Sequence, residues 1–267
     1  MMMKRNVLSW CAALVFGLHL AALPLSSEAS DNALEKIGSS GVLKVAVPQD
    51  FPPFGSVGPD MKPLGYDIDM AALIAQELGV KLELVPVTST NRIPYLTTGK
   101  VDLVISSLGK NPERQKVIDF TEAYAPFYNG VFGPEGEAVS KPDDLTGKTV
   151  AVTRGSIEDL ELTKIAPESA VIHRFEDNSS TISAYLSGQV AFVATGNVVA
   201  ASINEQKPNK MLESKFLIKN SPCYIGINKE QPALMTKLNE IIASAKNSGA
   251  LESISQKWLH TKLPQDL

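Results

Sequence analysis

The chain has 267 residues and a formal net charge of −4, with 25 lysines and arginines against 29 aspartates and glutamates. These charges form no long like-signed run, so the chain lacks the basic face that binding to nucleic acid requires. Its three histidines and two cysteines do not have the spacing of metal ligands, and neither a metal nor another cofactor is expected.

Residues 1–29 have the three-part pattern of a secretory signal peptide. Lys4 and Arg5 give a positive start, Val7–Leu23 is an apolar centre, and Ser27–Ala29 supplies small residues for cleavage. A membrane anchor is the alternative, because the apolar run is close to the ~17 residues that can span a bilayer. The expected location is the periplasm, with the signal peptide removed.

The first half of the remaining chain alternates between predicted strands and helices. Val42–Val47 is an apolar strand, and Lys81–Val87 alternates like a second strand. Between them, Asp67–Leu78 has helical spacing and is followed by a glycine that stops the helix. Ile93–Thr98 is predicted as a short helix, and Val101–Ser106 is a continuous apolar run typical of a strand covered on both faces.

The second half repeats this alternation, and we expect two crossings between lobes, at Gly130–Pro134 and at Asn220–Tyr224. The plan predicts an α/β protein of two lobes joined by a two-strand hinge. Residues 30–131 and 225–267 form lobe 1, and residues 132–224 form lobe 2. Hinge closure around a ligand is a common use of such a plan. The remaining predicted strands are Thr149–Val152, Val171–Phe175, Val190–Ala194, Phe216–Ile218 and Ile225–Asn228, and the remaining predicted helices are Ile157–Lys164, Ser179–Leu186, Val198–Asn204 and Pro232–Ser248.

Two arginines lie near polar turns on either side of the predicted strand Val101–Ser106. Ser107 and Gly109 offer a hydroxyl and a free backbone amide at the carboxyl end of that strand, where open α/β sheets bind their ligands. Arg92 precedes the strand and Arg114 follows it. A guanidinium presents a rigid fork of donors that fits a carboxylate, so the pair predicts an anion clamp.

Five segments occur in a specific order along the chain: GVLKVAV with FPPF (Gly41–Phe54), GYDIDMAALIAQELG (Gly65–Gly79), the arginine-containing stretch Ser89–Phe120, DLTGKTVAVTRGS (Asp144–Ser156) and KWL (Lys257–Leu259). Together they resemble the bacterial extracellular solute-binding proteins, family 3, which are the polar amino-acid binding proteins of ABC importers. The resemblance implies a periplasmic binding protein-like fold of type II. It also implies a small ligand held between two α/β lobes and a membrane permease as partner, with no chemistry performed.

The resemblance also implies ligand contacts for individual residues. Arg114 matches the family arginine that holds the ligand α-carboxylate, and Ser107 and the Gly109 amide fall at the same end of the ligand. Ser156 begins a predicted helix and can cap it. From this second lobe, the start of the same helix can also contact the carboxylate of the ligand. Phe51 matches a ring that packs on the ligand. From composition alone, a surface arginine at 114 is the alternative.

Arg92 and Ser89 bear on the choice of ligand. The NRIP pattern at Asn91–Pro94 resembles the glutamate/aspartate-binding branch, in which a serine and an arginine hold the side-chain carboxylate. A buried, unpaired guanidinium is costly, so an arginine facing the cleft implies an acidic or polar amino acid. A surface arginine at a helix start is the alternative.

Two departures from the family pattern leave the ligand ammonium with fewer strong partners. Gly109 stands where a hydroxyl is usual, and the segment Thr195–Asn197 lacks the usual aspartate. The ammonium is then met by carbonyls, by Asn197 or by Asp50, or else the ligand is a carboxylate without a free amine. These alternatives stay open in the sequence.

The same fold also carries a cyclohexadienyl dehydratase, whose chemistry needs a general acid in the cleft. The candidate acids are Glu158, Asp159 and Asp50, but none stands in an arrangement specific for catalysis, and no nucleophile motif or phosphate loop occurs. The expected protein is therefore a monomeric binding subunit without enzyme activity.

Overall fold

The computed structural model describes residues 32–206, 209 and 211–267, and its core is formed by two five-stranded sheets. The predicted signal peptide, residues 1–29, lies outside these residues. No helix within the described ranges is long and apolar enough to cross a membrane. The two sheets, each flanked by helices, confirm the predicted α/β fold with two lobes.

The first lobe combines elements from both ends of the chain. Gly41 and Gly79 end the first two helices in the left-handed conformation, which glycine adopts without steric strain. The elements are α1 (Ala33–Ser40), β1 (Val42–Val47), β2 (Ser56–Val57), β3 (Pro63–Leu64), α2 (Tyr66–Leu78), β4 (Lys81–Pro86), α3 (Arg92–Thr97), β5 (Leu103–Val104), α4 (Pro112–Gln115), β6 (Ile118–Ala125), β12 (Cys223–Asn228), α8 (Pro232–Ser248) and α9 (Ala250–Leu259).

The second lobe is formed by the central part of the chain. Its helices α5 and α6 have side-chain caps at their first turns, which satisfy backbone N–H groups that have no partner within a helix. The elements are β7 (Tyr128–Gly133), a 3₁₀ turn (Pro142–Leu145), β8 (Thr149–Thr153), α5 (Ile157–Ile165), β9 (Val171–Phe175), α6 (Asn178–Leu186), β10 (Phe192–Gly196), α7 (Asn197–Gln206) and β11 (Glu213–Asn220).

The two sheets share one topology. The strand order is β4-β1-β5-β12-β6 in the first lobe and β11-β7-β10-β8-β9 in the second. In the first sheet β1 is parallel to β4 and β5, while β12 runs antiparallel to β5 and β6. In the second sheet β8 is parallel to β9 and β10, while β7 runs antiparallel to β10 and β11. The carboxyl ends of the parallel strands, where ligands bind in such sheets, face the cleft between the lobes.

The chain crosses between the sheets earlier than the sequence indicates. β6 ends at Ala125 in the first sheet and β7 begins at Tyr128 in the second, so the crossing lies at residues 126–127 rather than at Gly130–Pro134. The glycines that suggest a turn lie inside β7: a Cβ at Gly133 would come within 2.4 Å of the Phe192 ring. Glycine therefore permits close packing here instead of a turn.

This shift changes the assignment of one strand. The predicted boundary at residue 131 divides β7, whose residues pair with β10 and β11 of the second sheet. The return crossing, at residues 221–222 between β11 and β12, falls within the predicted Asn220–Tyr224. The lobes are thus joined by two short connections, each with a strand on either side.

Gly65, at the start of α2, has a backbone conformation that requires glycine. Its φ is 140°, and a Cβ at this position would lie 2.2 Å from the Phe54 carbonyl oxygen. We expect Gly65→Ala to lower the free energy of unfolding by more than about 2 kcal/mol, through backbone strain and the forced movement of Phe54. Urea unfolding of the purified protein measures the change.

Gly38→Ala is the matched control, because Gly38 is exposed within α1 and a Cβ there meets no atom within 4 Å. It should raise the free energy of unfolding by roughly 0.5–1 kcal/mol, since alanine is the better helix former. Equal unfolding midpoints for Gly65→Ala and the wild type would contradict the close approach of Gly65 to Phe54.

Candidate functional site

A pocket between the lobes brings most of the predicted ligand residues together. Its lining atoms come from both lobes. Phe127, at the crossing between the sheets, forms part of the wall. The predicted residues in the lining are Phe51, Ser89, Arg92, Ser107, Gly109 and Ser156.

Arg92, at the first position of α3, reaches under the end of β5. Its side chain is buried, and Nη1 donates a hydrogen bond of 2.6 Å to the Ser106 carbonyl oxygen. Nε is also buried and has no hydrogen-bond partner among the described residues. Burial lowers the pKa of Arg92, while the negative charge of Glu158 opposes this change. The residue therefore presents a desolvated cation with an open donor, which is suited to an anion.

Arg114, in α4, links two turns that belong to different lobes. Asn111 caps this short helix by accepting from the Arg114 backbone N–H at 2.9 Å. The guanidinium donates from Nη1 to the Gly109 carbonyl oxygen at 2.7 Å and from Nη2 to the Gly155 carbonyl oxygen at 2.9 Å. Burial and the nearby charge of Arg92 lower the pKa of Arg114 to about 9. Arg114 itself is not among the lining residues.

The carboxylate of Asp67, in the first turn of α2, holds the Ser107 turn in place. It is fully buried and accepts from the Ser107 backbone N–H at 2.7 Å and from the Tyr124 hydroxyl at 2.6 Å. Ser107 has a φ of 41°, which is unusual for a residue with a side chain. Burial raises the pKa of Asp67 to about 7, although these hydrogen bonds and the charge of Arg92 act in the opposite direction. The sequence does not predict this role.

Glu158 and Asn129 are polar residues of the second lobe that line the pocket without having been predicted as ligand contacts. Glu158, in the first turn of α5, is buried and accepts from Asn129 Nδ2 at 2.8 Å. Asn129 belongs to β7 and is 2% exposed. Its Oδ1 has no hydrogen-bond partner in the described part of the chain. From the sequence, Glu158 is only a candidate acid. The sequence has no signal for Asn129, because the adjoining Gly130–Pro134 is predicted as a crossing between lobes rather than as part of a strand.

The two glycines that depart from the family pattern are enclosed by other side chains. A Cβ at Gly109 would lie 2.7 Å from Ile157 Cγ1, which belongs to the opposite lobe. A Cβ at Gly196 would lie within 1.9 Å of Phe127 Cζ. The Phe127 ring also packs against Phe51, with ring centroids 6.4 Å apart. Where the family usually has an aspartate, this chain therefore has a glycine covered by an aromatic ring.

Asn197, a predicted ligand residue, has a side-chain contact within the protein. Its Oδ1 accepts from the Tyr128 backbone N–H at 3.0 Å, so the side chain supports the start of β7. It does not belong to the described lining of the pocket. The residue begins α7 directly after β10, and its oxygen is used by the strand that enters the second lobe.

The other two candidate acids are also engaged. Asp50 accepts from the backbone N–H groups of Asn178 at 2.7 Å and Ser179 at 3.3 Å, so a carboxylate of the first lobe meets the N-terminus of α6 in the second. Asp159 accepts from the Gly155 backbone N–H at 2.9 Å and forms an ion pair with Arg174 at 2.7 Å. Glu158 is therefore the one candidate acid of the three that lines the pocket.

Further contacts hold the lobes together outside the pocket. Lys219 Nζ donates to the Lys110 carbonyl oxygen at 2.9 Å, and Asn111 Nδ2 donates to Glu161 Oε1 at 3.3 Å. With the contacts of Asp50 and Arg114, these hydrogen bonds show a closed arrangement of the lobes.

Comparisons with known proteins agree on one family. The model of the family described as bacterial extracellular solute-binding proteins, family 3, matches residues 43–261. A glutamine-binding protein of Geobacillus stearothermophilus is 33% identical, over 76% of this chain and 79% of the relative. A glutamate/aspartate import solute-binding protein of Salmonella typhimurium is 28% identical, over 95% and 88%. The crystal structure of an ancestral amino acid-binding protein, described as a precursor of cyclohexadienyl dehydratase, superposes with a TM-score of 0.78 at 30% identity. The match covers 85% of this chain and 99% of that one.

The raised pKa of Asp67 predicts a pH dependence of stability. Because its pKa is about 7 in the folded protein, against an ordinary value of 3.8, the folded state binds the proton more tightly. The free energy of unfolding should therefore fall as the pH rises from about 4 to about 7, by up to about 1.4 kcal/mol per pH unit. Asp67→Asn removes this part of the slope. Urea unfolding at several pH values between 4 and 8 measures both proteins.

The exposed Asp60 provides the control, because Asp60→Asn removes a carboxylate from the surface of the same lobe. Its pH profile should follow that of the wild type. A profile of Asp67→Asn as steep as that of the wild type would show that Asp67 does not bind a proton in this range.

Proposed function

Because the chain belongs to the bacterial extracellular solute-binding proteins, family 3, we propose that it is the substrate-binding subunit of an ABC importer and binds an amino acid with an acidic or polar side chain. The named relatives support this class of ligand, since one is named a glutamine-binding protein and the other a glutamate/aspartate import solute-binding protein. The observation that carries the ligand class is the buried Arg92 guanidinium, whose Nε lacks a partner among the described residues.

Arg92 favours a ligand with a polar or negative far end. A carboxylate or a side-chain carbonyl can accept from the open Nε–H, which offsets the desolvation of the guanidinium. An apolar side chain leaves this buried donor unsatisfied, which costs several kcal/mol and discriminates against such ligands. Ser89, also in the lining, adds a hydroxyl close to the start of α3.

The near end of the ligand is assigned to Arg114 and the turns that it joins. Each guanidinium has five N–H donors, and the two bonds to Gly109 and Gly155 leave donors for an α-carboxylate. Ser107 and the N-terminal turn of α5, capped by Ser156, lie on opposite walls of the same pocket. A carboxylate between them would join both lobes, so its binding would favour closure. Phe51 would pack on the apolar part of the ligand.

The proposal includes a membrane permease as the partner and the periplasm as the location of a monomeric mature protein. A carboxylate without a free amine is the alternative ligand, because Gly196 supplies no acid. The closed lobes would present the permease with the faces of both lobes at once, so that recognition depends on ligand-driven closure.

Binding without chemistry is the proposed activity, and a dehydratase-like reaction is the second candidate. The second candidate is favoured by one observation, the carboxyl group of Glu158 in the pocket. Against it, Asp50 and Asp159 are engaged in structural bonds, which leaves no second acid or base of the three to assist. Incubation of the protein with prephenate or arogenate, followed by NMR, distinguishes the two: recovery of unchanged compound supports binding alone, whereas an aromatic product overturns it.

Substitution of the two clamp arginines tests the ligand assignment. Arg114→Ala should lower the affinity for every ligand by about 100-fold or more, because it removes a buried charged contact. Arg92→Ala should lower the affinity for L-glutamate by about 10–100-fold and that for L-glutamine less, because only the former loses a charge pair. Isothermal titration calorimetry of protein refolded from denaturant, which removes carried-over ligand, measures these affinities.

Arg154→Ala is the matched control, since Arg154 is an exposed arginine paired with Glu176. It should bind like the wild type. The clamp is contradicted if Arg92→Ala and Arg114→Ala both bind the wild-type ligand normally. A wild-type protein that no amino acid or carboxylate stabilises in a thermal-shift screen would overturn the proposed function itself.

A further inference from the structure

We propose that Glu158, with Asn129, binds the ammonium group of the ligand and so selects an amino acid over a carboxylate without an amine. This inference rests on the proposed function and makes it more specific. Glu158 and Asn129 belong to the second lobe and line the pocket opposite Arg92. They place acceptors on one wall, whereas the other wall carries donors.

The unpartnered oxygen of Asn129 is the first line of support. Asn129 is 2% exposed, and within the described residues its Oδ1 has no hydrogen-bond partner. The carboxylate of Glu158 fixes the orientation of the amide, because only Nδ2 can donate the 2.8 Å bond to Oε1. The oxygen therefore does not contact Glu158. It is a buried acceptor on a residue that lines the pocket. A buried acceptor of this kind needs a donor.

The charge of Glu158 is the second line of support for this inference. It is 6% exposed, and no cation lies within 4.0 Å of its carboxylate among the described side chains. Arg92 interacts with it electrostatically from the opposite wall, but donates its own hydrogen bond to Ser106. A buried carboxylate is stabilised by a cation with hydrogen-bond donors. An ammonium group has three such donors, which is enough for both Glu158 and Asn129.

The other candidate partners for the ammonium are occupied by contacts of their own. No acidic side chain can occupy the space in front of Gly196, because the Phe127 ring fills that space. Asp50 is used at the N-terminus of α6, and Asn197 Oδ1 accepts from Tyr128. Glu158 therefore supplies the negative charge from a different element, α5, and the pocket has opposite charges on its two walls. This arrangement fits a zwitterion.

The experiment compares ligands that differ only in the amine. Calorimetric titration uses three pairs: L-glutamate with glutarate, L-aspartate with succinate, and L-glutamine with its analogue lacking the α-amine. The wild type should bind the amine-bearing member of a pair about 10–100-fold more tightly. In Glu158→Gln this preference should disappear, through loss of affinity for the amine-bearing member. Glu168→Gln, which neutralises an exposed carboxylate of the same lobe, should keep the wild-type preference.

Two results overturn the inference alone: the wild type binds both members of a pair equally, or Glu158→Gln keeps the preference for the amine. The comparison of ligands with the wild type needs no variant, so it tests the inference even if Glu158→Gln fails to fold. Urea unfolding of the ligand-free variant would show whether it folds. If the wild type binds no member of any pair, the proposed function is overturned and the inference with it.

Discussion

The burial of two guanidinium groups beneath one cleft is the constraint on which the rest of the site depends. Arg92 and Arg114 are both desolvated, and the charge of Arg92 further disfavours the charged form of Arg114. Backbone carbonyls at the ends of turns accept from both, and the buried Asp67 lies close enough to offset part of the charge. The Ser107 turn, where φ is 41°, is held by the Asp67 carboxylate. Its shape and the cation beneath it are therefore maintained together.

Closure of the lobes depends on small residues at the points of contact. Ile157 fills the space in front of Gly109, and the Phe127 ring fills the space in front of Gly196. Any side chain at either glycine would hold the lobes apart or displace an aromatic ring from the hinge. The apparent losses in the sequence thus have a steric explanation: the space has been taken by residues of the opposite lobe and of the crossing segment.

Local patterns were sufficient to predict most strands and helices. Together with the resemblance to the family, they also predicted the type of fold and six residues that line the pocket. They failed where packing across the molecule decides. Gly130 and Gly133 suggest a turn, but their strand is held in the second sheet by β10 and β11, and this hides Asn129 from sequence reasoning. The first turn of α5 carries Glu158 and Asp159 side by side, and only the tertiary fold determines that Glu158 faces the pocket while Asp159 pairs with Arg174.

The contacts that join the lobes are distributed so that some lie outside the pocket, as between Lys219 and the Lys110 carbonyl or between Asn111 and Glu161. Such contacts favour the closed form whichever ligand is inside, so they multiply all apparent affinities by one factor. Selectivity and sensitivity are then separate properties of the molecule. A biosensor built on this scaffold could be moved to a higher or lower working concentration by changing these outer contacts, while its order of preference among ligands stayed the same.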